Sequence, residues 1–250
     1  MQLSIILLLL LVLYIIFTSE SKREAFKIIV SAGLIALFIR TFFFQPFTIP
    51  SGSMIPTLLI GDFIFVSQYK YGYSKHSLPL SLPLIKGRIL KKKPKRGDVV
   101  VFKTPNDNKT DYVKTLIGLP GDTIKVQEGF LYINDKIVKR ENIEQSYNKI
   151  YNNYLSNFDY VEILPNGRKH IIRELKGDDG PGDNTIEYIV PDNNFFLMGD
   201  NRDNSIDSRV LNYVGFVPFE NLVGKAEIIF FSLDKKNFDI TKFWKWRIRF

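Results

Sequence analysis

Two serines are among the residues of this sequence best placed to do covalent chemistry. Ser51 and Ser53 flank Gly52 in the stretch IPSGSMIPTLLIGD. A serine hydroxyl becomes a nucleophile only when a nearby base takes its proton, and in enzymes that base is most often a histidine. Taken alone, Ser-Gly-Ser between prolines is typical of an ordinary turn. Whether these serines are catalytic therefore depends on finding the base.

Histidine is a poor candidate for that base, and lysine is the alternative. His76 in YGYSKHSLPL and His170 in NGRKH are the two histidines, and since neither has an acidic partner in a strand pattern, both are predicted to lie at the surface. Lys114 lies in DYVKTLIGLPGD, with Tyr112 and Leu116 on the same face of a predicted strand. Burial there would lower the lysine pKa from ~10.4 by several units. Spacing alone leaves a second interpretation, a strand lysine that extends its amine to solvent.

A third polar stretch, FFLMGDNRDNSIDSR, follows a predicted strand. Its aspartates could suggest calcium, but the stretch lacks the glycine and the final glutamate of an EF-hand loop. No metal site is therefore predicted at Asp200, Asp203 or Asp207. An ion pair of Asp207 with Arg209, and a Ser205 hydroxyl that contacts an amine, fit these residue types better.

Two apolar runs precede these motifs. Residues 1–17 include LSIILLLLLVLYIIF and residues 26–44 are FKIIVSAGLIALFIRTFFF, and both are predicted to be transmembrane helices. A cleaved signal peptide is the alternative for the first run, although no basic segment precedes it and no small-residue cleavage site follows it. The loop between the runs, residues 18–25, carries Lys22 and Arg23 and is predicted to be cytoplasmic, which places the rest of the chain on the outer side.

From residue 45 onward the pattern changes to short β-branched and aromatic runs separated by Gly-Asp turns, as in GDVVVFKT, DTIKVQ and KAEIIFFSL. Runs of this kind predict strands, so the chain should be mainly β, with an outer antiparallel domain. Residues 124–194 are richer in Asn, Tyr, Lys and Asp and are predicted to be an inserted, smaller β domain. The main β domain then comprises residues 45–123 and 195–250.

Composition and charge narrow the function classes further. The chain has no cysteine, which excludes disulfides and thiol nucleophiles. Its formal charge of +8 would suit binding to nucleic acid or to anionic lipid headgroups. A domain on the outer side of the membrane would not meet nucleic acid, so that partner is largely excluded. The basic run Lys86–Arg96 is predicted to be a solvated loop, with headgroup contact as the alternative. The C-terminal segment 242–250, KFWKWRIRF, is either interfacial or an edge strand.

The motifs IPSGSMIPTLLIGD, KRGDVVVFKTPNDNKTDYVKTLIGLPGD and FLMGDNRDNSIDSR resemble, in the same order, the signature boxes of the bacterial type I signal peptidases, or leader peptidases. The two apolar runs ahead of a β domain also match that family of Ser/Lys serine endopeptidases. The resemblance implies a multi-pass enzyme of the bacterial cytoplasmic (inner) membrane with its catalytic domain on the periplasmic side. It would use no cofactor, remove signal peptides from exported preproteins through an acyl-enzyme, and cut after small residues in an A-x-A pattern.

Site residues follow from the same resemblance, position by position. Ser53 matches the nucleophile and Lys114 the general base, while the Ser51 hydroxyl joins the Ser53 backbone N–H in the oxyanion hole. Supporting roles fall on Ser205, which orients the lysine amine, and on the ion pair Asp207 and Arg209. The small pockets for substrate residues are lined by Ile49, Met54, Leu58, Tyr112 and Val113.

Two departures and two alternatives stand beside this interpretation. The residue after the lysine is commonly basic in the family but is Thr115 here. Residues 124–194 match the family only as a variable insertion, and no site is assigned there. A self-cleaving repressor would also use Ser and Lys, but would call for a soluble chain with a DNA-binding module. A catalytically silent, membrane-anchored β domain that binds lipid or exported chains is the alternative from another class.

Overall fold

The computed structural model describes residues 20–78, 81–143 and 158–233. Helix α1, Glu20–Phe42, has a mean hydropathy of 1.8 over its most apolar window, which is fully exposed. Its 23 residues span about 34 Å, enough to cross a bilayer. Among the described residues it is the one helix that is both long enough and apolar enough to cross a membrane. The first predicted transmembrane segment, residues 1–17, lies outside the described residues.

The bounds of α1 correct the prediction at both ends. Residues 20–25, expected in a loop, form the first turns of the helix. The helix stops at Phe42, and strand β1, Phe44–Thr48, follows after one residue. The phenylalanine run had suggested that the helix continues to residue 44, but Pro46 cannot continue a helix and is tolerated in an edge strand. The Tyr73 hydroxyl donates to the Phe42 carbonyl oxygen at 2.8 Å and so ties the helix end to the β domain.

The main sheet has seven strands, all paired antiparallel. Besides β1, its strands are β2 Asp62–Ser67, β5 Val99–Lys103, β6 Asp111–Gly118, β14 Asn194–Met198, β15 Val217–Pro218 and β16 Leu222–Ser232. Their order across the sheet is β1-β2-β16-β5-β6-β14-β15. A separate two-stranded ladder pairs β3 Tyr73–Ser74 with β4 Arg88–Ile89. The mainly β, antiparallel prediction is confirmed.

The inserted region forms two smaller sheets. One contains β7 Thr123–Gln127, β8 Phe130–Ile133, β9 Lys136–Ile137 and β13 Tyr188–Ile189; the other contains β10 Lys139–Asn142, β11 Asp159–Ile163 and β12 Lys169–Arg173. The predicted boundary after residue 123 falls inside β7. Ile124, Leu131 and Leu164 of this region share one buried cluster with Ile117 and Phe196 of the main sheet. The two regions therefore pack around a common core.

The basic run Lys86–Arg96 is only partly the solvated loop that was predicted. Lys91, Lys92 and Lys93 are exposed, but Arg88 and Arg96 are buried. Arg96 forms an ion pair of 2.8 Å with Asp122. These two arginines fix the loop to the sheets, since a buried guanidinium needs acceptors for its five N–H groups.

Candidate active site

The segment that carries the two serines leaves β1 and turns across the edge of the main sheet. Asn201 holds it in place, because its backbone N–H donates to the Ser53 carbonyl oxygen at 3.0 Å and its side-chain amide donates to the Gly52 carbonyl oxygen at 2.8 Å. Met54 and Leu58, on the same segment, are buried in the core beneath it. The buried side chains of Met54 and Leu58 on one side and the two hydrogen bonds from Asn201 on the other fix the position of Ser53.

Lys114 lies on β6, opposite Val100 of β5, and is 3% exposed. Its Nζ donates to the Ser53 Oγ at 2.6 Å and lies 5.5 Å from the centre of the Tyr112 ring. Burial lowers the pKa of Lys114 to about 8, against the opposing effect of the Asp207 and Asp200 carboxylates. About a tenth of the amine is therefore neutral, and able to accept a proton, at pH 7, compared with well under a thousandth at the ordinary pKa.

Ser51 and the predicted substrate-pocket residues surround this pair. The Ser51 Oγ lies 3.5 Å from the Ser53 Oγ, at the mouth of a cleft of about 520 Å³. Four of the five predicted pocket residues line the cleft: Ile49, Met54, Tyr112 and Val113. Leu58 is fully buried and packs with Ile49 and Met54 behind the cleft wall. Among the described residues, Leu58 therefore supports the pocket without lining it.

Ser205 lies in the cleft wall but does not hydrogen-bond the lysine in this arrangement. Its Oγ is buried and has no hydrogen-bond partner among the described residues. The hydroxyl faces Gly199, where a Cβ would lie 2.1 Å from the Ser205 Oγ and 2.6 Å from the Ser53 carbonyl oxygen. Only glycine allows this close approach of the turn to the nucleophile segment.

Asp207 and Arg209 form the ion pair that the residue types suggested. The Arg209 Nε donates to the Asp207 Oδ1 at 2.9 Å, and the Gly199 backbone N–H donates to the Asp207 Oδ2 at the same distance. Burial opposes the charged carboxylate, but the Arg209 guanidinium holds the pKa of Asp207 below its ordinary value. The pair lies behind Lys114 as a fixed, ionised support.

Asp200, which the sequence suggested only as a metal ligand to be set aside, is a contact point between the reacting segments. Its buried carboxylate accepts hydrogen bonds from Thr57 Oγ1 at 2.5 Å and from Thr115 Oγ1 at 2.7 Å. Thr57 belongs to the nucleophile segment and Thr115 follows the lysine, so one carboxylate ties both reacting segments together. The family departure at position 115 therefore has a structural role here: a neutral hydroxyl binds Asp200.

The prediction that both histidines lie at the surface is wrong. His170 has a side chain 10% exposed, with Nδ1 at 3.3 Å from Asp200 Oδ1 and Nε2 at 3.0 Å from Glu162 Oε2. Glu162 also accepts two bonds from the buried Arg202. Acidic partners exist for His170, but they come from a neighbouring strand and a distant turn rather than from adjacent sequence. His76 is buried too, bonded to Ser81, and burial lowers its pKa to about 4.

Among the described residues, the one group of acidic and histidine side chains close enough to hold a cation is Glu174, Asp183 and Asp203. One oxygen of each lies within 4.8 Å of the others. Burial raises the pKa of Glu174 to about 8, so this carboxyl is largely protonated at neutral pH. A proton on Glu174 therefore relieves part of the repulsion between these carboxyl groups.

Comparisons with known proteins agree with one another. The family model described as signal peptidase, peptidase S26, matches residues 22–231. The signal peptidase I of Rickettsia canadensis (strain McKiel) is 44% identical over 223 residues, which cover 86% of this chain and 82% of that protein. The signal peptidase I of Rickettsia rickettsii (strain Sheila Smith) is 46% identical with the same coverage.

A crystal structure of a signal peptidase I from Enterococcus faecalis V583 is also similar, at 28% identity and a TM-score of 0.31. The matched region covers 54% of this chain and 97% of the Enterococcus chain. The family model spans more than half of this sequence, and two curated relatives exceed 40% identity over most of it. This chain belongs to the signal peptidase family of hydrolases, peptidase S26.

Proposed function

We propose that this chain is a membrane-anchored serine endopeptidase that removes signal peptides from exported preproteins by a Ser53/Lys114 dyad. The observation that carries the proposal is the 2.6 Å contact between the buried Lys114 Nζ and the Ser53 Oγ beside an open cleft. A serine with a low-pKa amine within hydrogen-bond reach is an activated nucleophile. No metal or cofactor is needed for this chemistry.

The reaction proceeds in two halves. The neutral Lys114 amine takes the Ser53 proton as the Oγ forms a bond to the carbonyl carbon of the substrate peptide. The Ser51 hydroxyl and the Ser53 N–H stabilise the oxyanion, and the lysine ammonium then gives its proton to the leaving amine. The resulting acyl-enzyme is hydrolysed by a water molecule that Lys114 deprotonates in the same way.

The cleft and the helix support the choice of substrate. Ile49 and Met54 leave an apolar cleft wall that suits small side chains before the cut, as in A-x-A sequences. A membrane-spanning helix α1 would hold the cleft near a bilayer, where the apolar segment of a preprotein would lie. Lys22 and Arg23 at its N-terminal end favour a cytoplasmic start and an outer, periplasmic catalytic domain. A further span at residues 1–17 would make the enzyme multi-pass.

The test is cleavage of a preprotein with an A-x-A site by the full chain in detergent. Ser53→Ala and Lys114→Ala should each lower kcat/KM by at least about 10³-fold with unchanged circular dichroism, because nucleophile and base act as a unit. Lys125→Ala, which removes a partly exposed lysine from β7, is the matched control and should retain activity within about twofold.

Wild-type-like activity of either dyad variant would overturn this mechanism. A folded wild type that binds the preprotein but never cuts it would favour the silent β domain instead. N-terminal sequencing of the product locates the cut, and a cut after large residues would contradict the proposed pocket.

A further inference from the structure

His170 links the inserted region to the reacting segments. It lies on β12 directly opposite Glu162 of β11 in the strand register. One ring nitrogen faces Glu162 at 3.0 Å and the other faces Asp200 at 3.3 Å. The backbone N–H of Arg173, on the same strand, donates to the Asp200 carbonyl oxygen at 2.7 Å. The imidazole is thus held between two carboxylates by strand pairing as well as by its own contacts.

This geometry determines the protonation state of the ring. An ionised carboxylate only accepts hydrogen bonds, and a neutral imidazole has a single N–H. A neutral ring would therefore direct a lone pair at one of the two carboxylates, whereas an imidazolium donates to both. In agreement, the two carboxylates outweigh the effect of burial and raise the pKa of His170 to about 9.

The positive charge acts where Asp200 meets the reacting segments. Asp200 binds Thr57, four residues after Ser53, and Thr115, directly after Lys114. Both of these partners are neutral hydroxyls, so among the described residues the charged group within ion-pair distance of the Asp200 carboxylate is the His170 ring. Arg202 also attracts this carboxylate, but without a direct ion pair. The Asp200 charge also raises the Lys114 pKa, in opposition to burial.

We propose that His170, as an imidazolium, is a positioning residue for the Ser53/Lys114 reaction, which holds and neutralises Asp200 from the inserted region. The inference rests on the proposed function. It makes β11 and β12 part of the catalytic unit, since they carry the cation that keeps Asp200 from stabilising a protonated lysine.

The neighbouring charges are compatible with this role. His170 faces Asp200 and Glu162, and Arg202 neutralises Glu162 from its other side. Glu174 lies 3.9 Å from Arg202 and is largely protonated at neutral pH, because burial raises its pKa to about 8. On the far side of Lys114, Asp207 is paired with Arg209. Loss of the His170 charge therefore leaves this group one positive charge short, and Asp200, whose charge acts on Lys114, loses the cation that contacts it.

The test is the pH profile of kcat/KM for His170→Asn in the full chain. Asparagine retains an amide donor at the position of Nδ1, which faces Asp200, and removes the charge together with the Nε2 donor to Glu162, which keeps its bonds from Arg202. We expect the midpoint of the alkaline rise to move upward by about 0.5–1 pH unit, with activity about 3–10-fold lower at pH 7 and within about twofold of wild type near pH 10. His76→Asn, which removes the other histidine, should leave the profile unchanged.

A uniform loss of activity at every pH, without a shift of the midpoint, would mean that His170 is merely structural and would overturn the inference. A second measurement does not depend on cleavage. In the His76→Asn protein, the single histidine should give the NMR signals of an imidazolium at pH 7. A neutral ring would contradict the inference even if the enzyme is active, and failure of the Ser53/Lys114 test would instead contradict the proposed function.

Discussion

Two regions of the molecule meet at Asp200 and hold their polar groups in different ways. On the side of β6 and the nucleophile segment, the contacts are hydroxyls and an amine whose proton affinity is lowered by burial. On the side of β11 and β12, the groups are full charges paired at 2.5–3.3 Å. The reactive groups are thus held by few and mostly neutral contacts, whereas their support is held by ion pairs. Changes in the first region should alter the rate, whereas loss of a charged pair in the second should mainly alter stability, with His170 also affecting the rate through Asp200.

The largest expected effect is a loss of stability when an ion pair on the side of β11 and β12 is broken. Glu162→Gln keeps the size of the side chain but removes the anion that the buried Arg202 and His170 share. We expect the free energy of unfolding to fall by about 3–5 kcal/mol, as is typical when one partner of a buried ion pair is removed. Chemical unfolding of the full chain in detergent, followed by circular dichroism, measures this.

Glu128→Gln is the matched control, because Glu128 is exposed in the turn between β7 and β8. Its effect should stay within about 0.5 kcal/mol. If Glu162→Gln were as stable as this control, the contrast between a charged support and a neutral site would be lost.

A smaller effect is expected on the reactive side. Ser51→Ala removes one proposed oxyanion donor, and kcat should fall by about 10²–10³-fold while the unfolding transition is unchanged. The kinetics of preprotein cleavage check the first part and thermal unfolding checks the second. Thr185→Ala removes a hydroxyl from the inserted region and should keep kcat within about twofold. Equal losses in the two variants would contradict the assigned role of Ser51.

The smallest expected effect is the pH dependence of the wild type. The active form of Lys114 is the neutral amine, and burial lowers the pKa of this group to about 8. The rate should therefore rise with pH by about tenfold between pH 7 and 9 and then level off. A pH series of kcat/KM at constant ionic strength measures it. A rate that is flat across this range would argue against a lysine base.

Much of the fold follows from local sequence. The runs around Val99–Lys103 and Asp111–Gly118 are continuously apolar or alternate, and both are central strands. Strand β1 was missed because its phenylalanine continues an apolar helical run, and only Pro46 marks the change. Strands β11 and β12 were missed because DYVEI and KHIIR carry charged residues. In this structure those charges are buried in pairs, which a hydropathy pattern cannot indicate.

The candidate site likewise contains some residues that adjacent sequence indicates and others that only the fold brings together. Ser51, Ser53 and Lys114 lie in motifs whose chemistry can be inferred from a few adjacent residues, and the structure brings them together. The partners of His170 are 8 and 30 residues away in sequence, joined by strand pairing and by the turn after β14. Contacts of this kind depend on the register of two sheets, so the composition around His170 gave no indication of them.

The single residue between α1 and β1 has a geometric consequence. Because an α-helix turns by about 100° per residue, a residue added to the end of the helix would rotate the sheet by that angle around the helix axis. The short junction and the hydrogen bond from the Tyr73 hydroxyl to the Phe42 carbonyl together fix the distance and the orientation of the cleft relative to the end of the helix. If the helix spans a bilayer, the distance from the membrane to the cleft is fixed by the enzyme. That distance then determines how many residues separate the apolar segment of a substrate from its cleavage site.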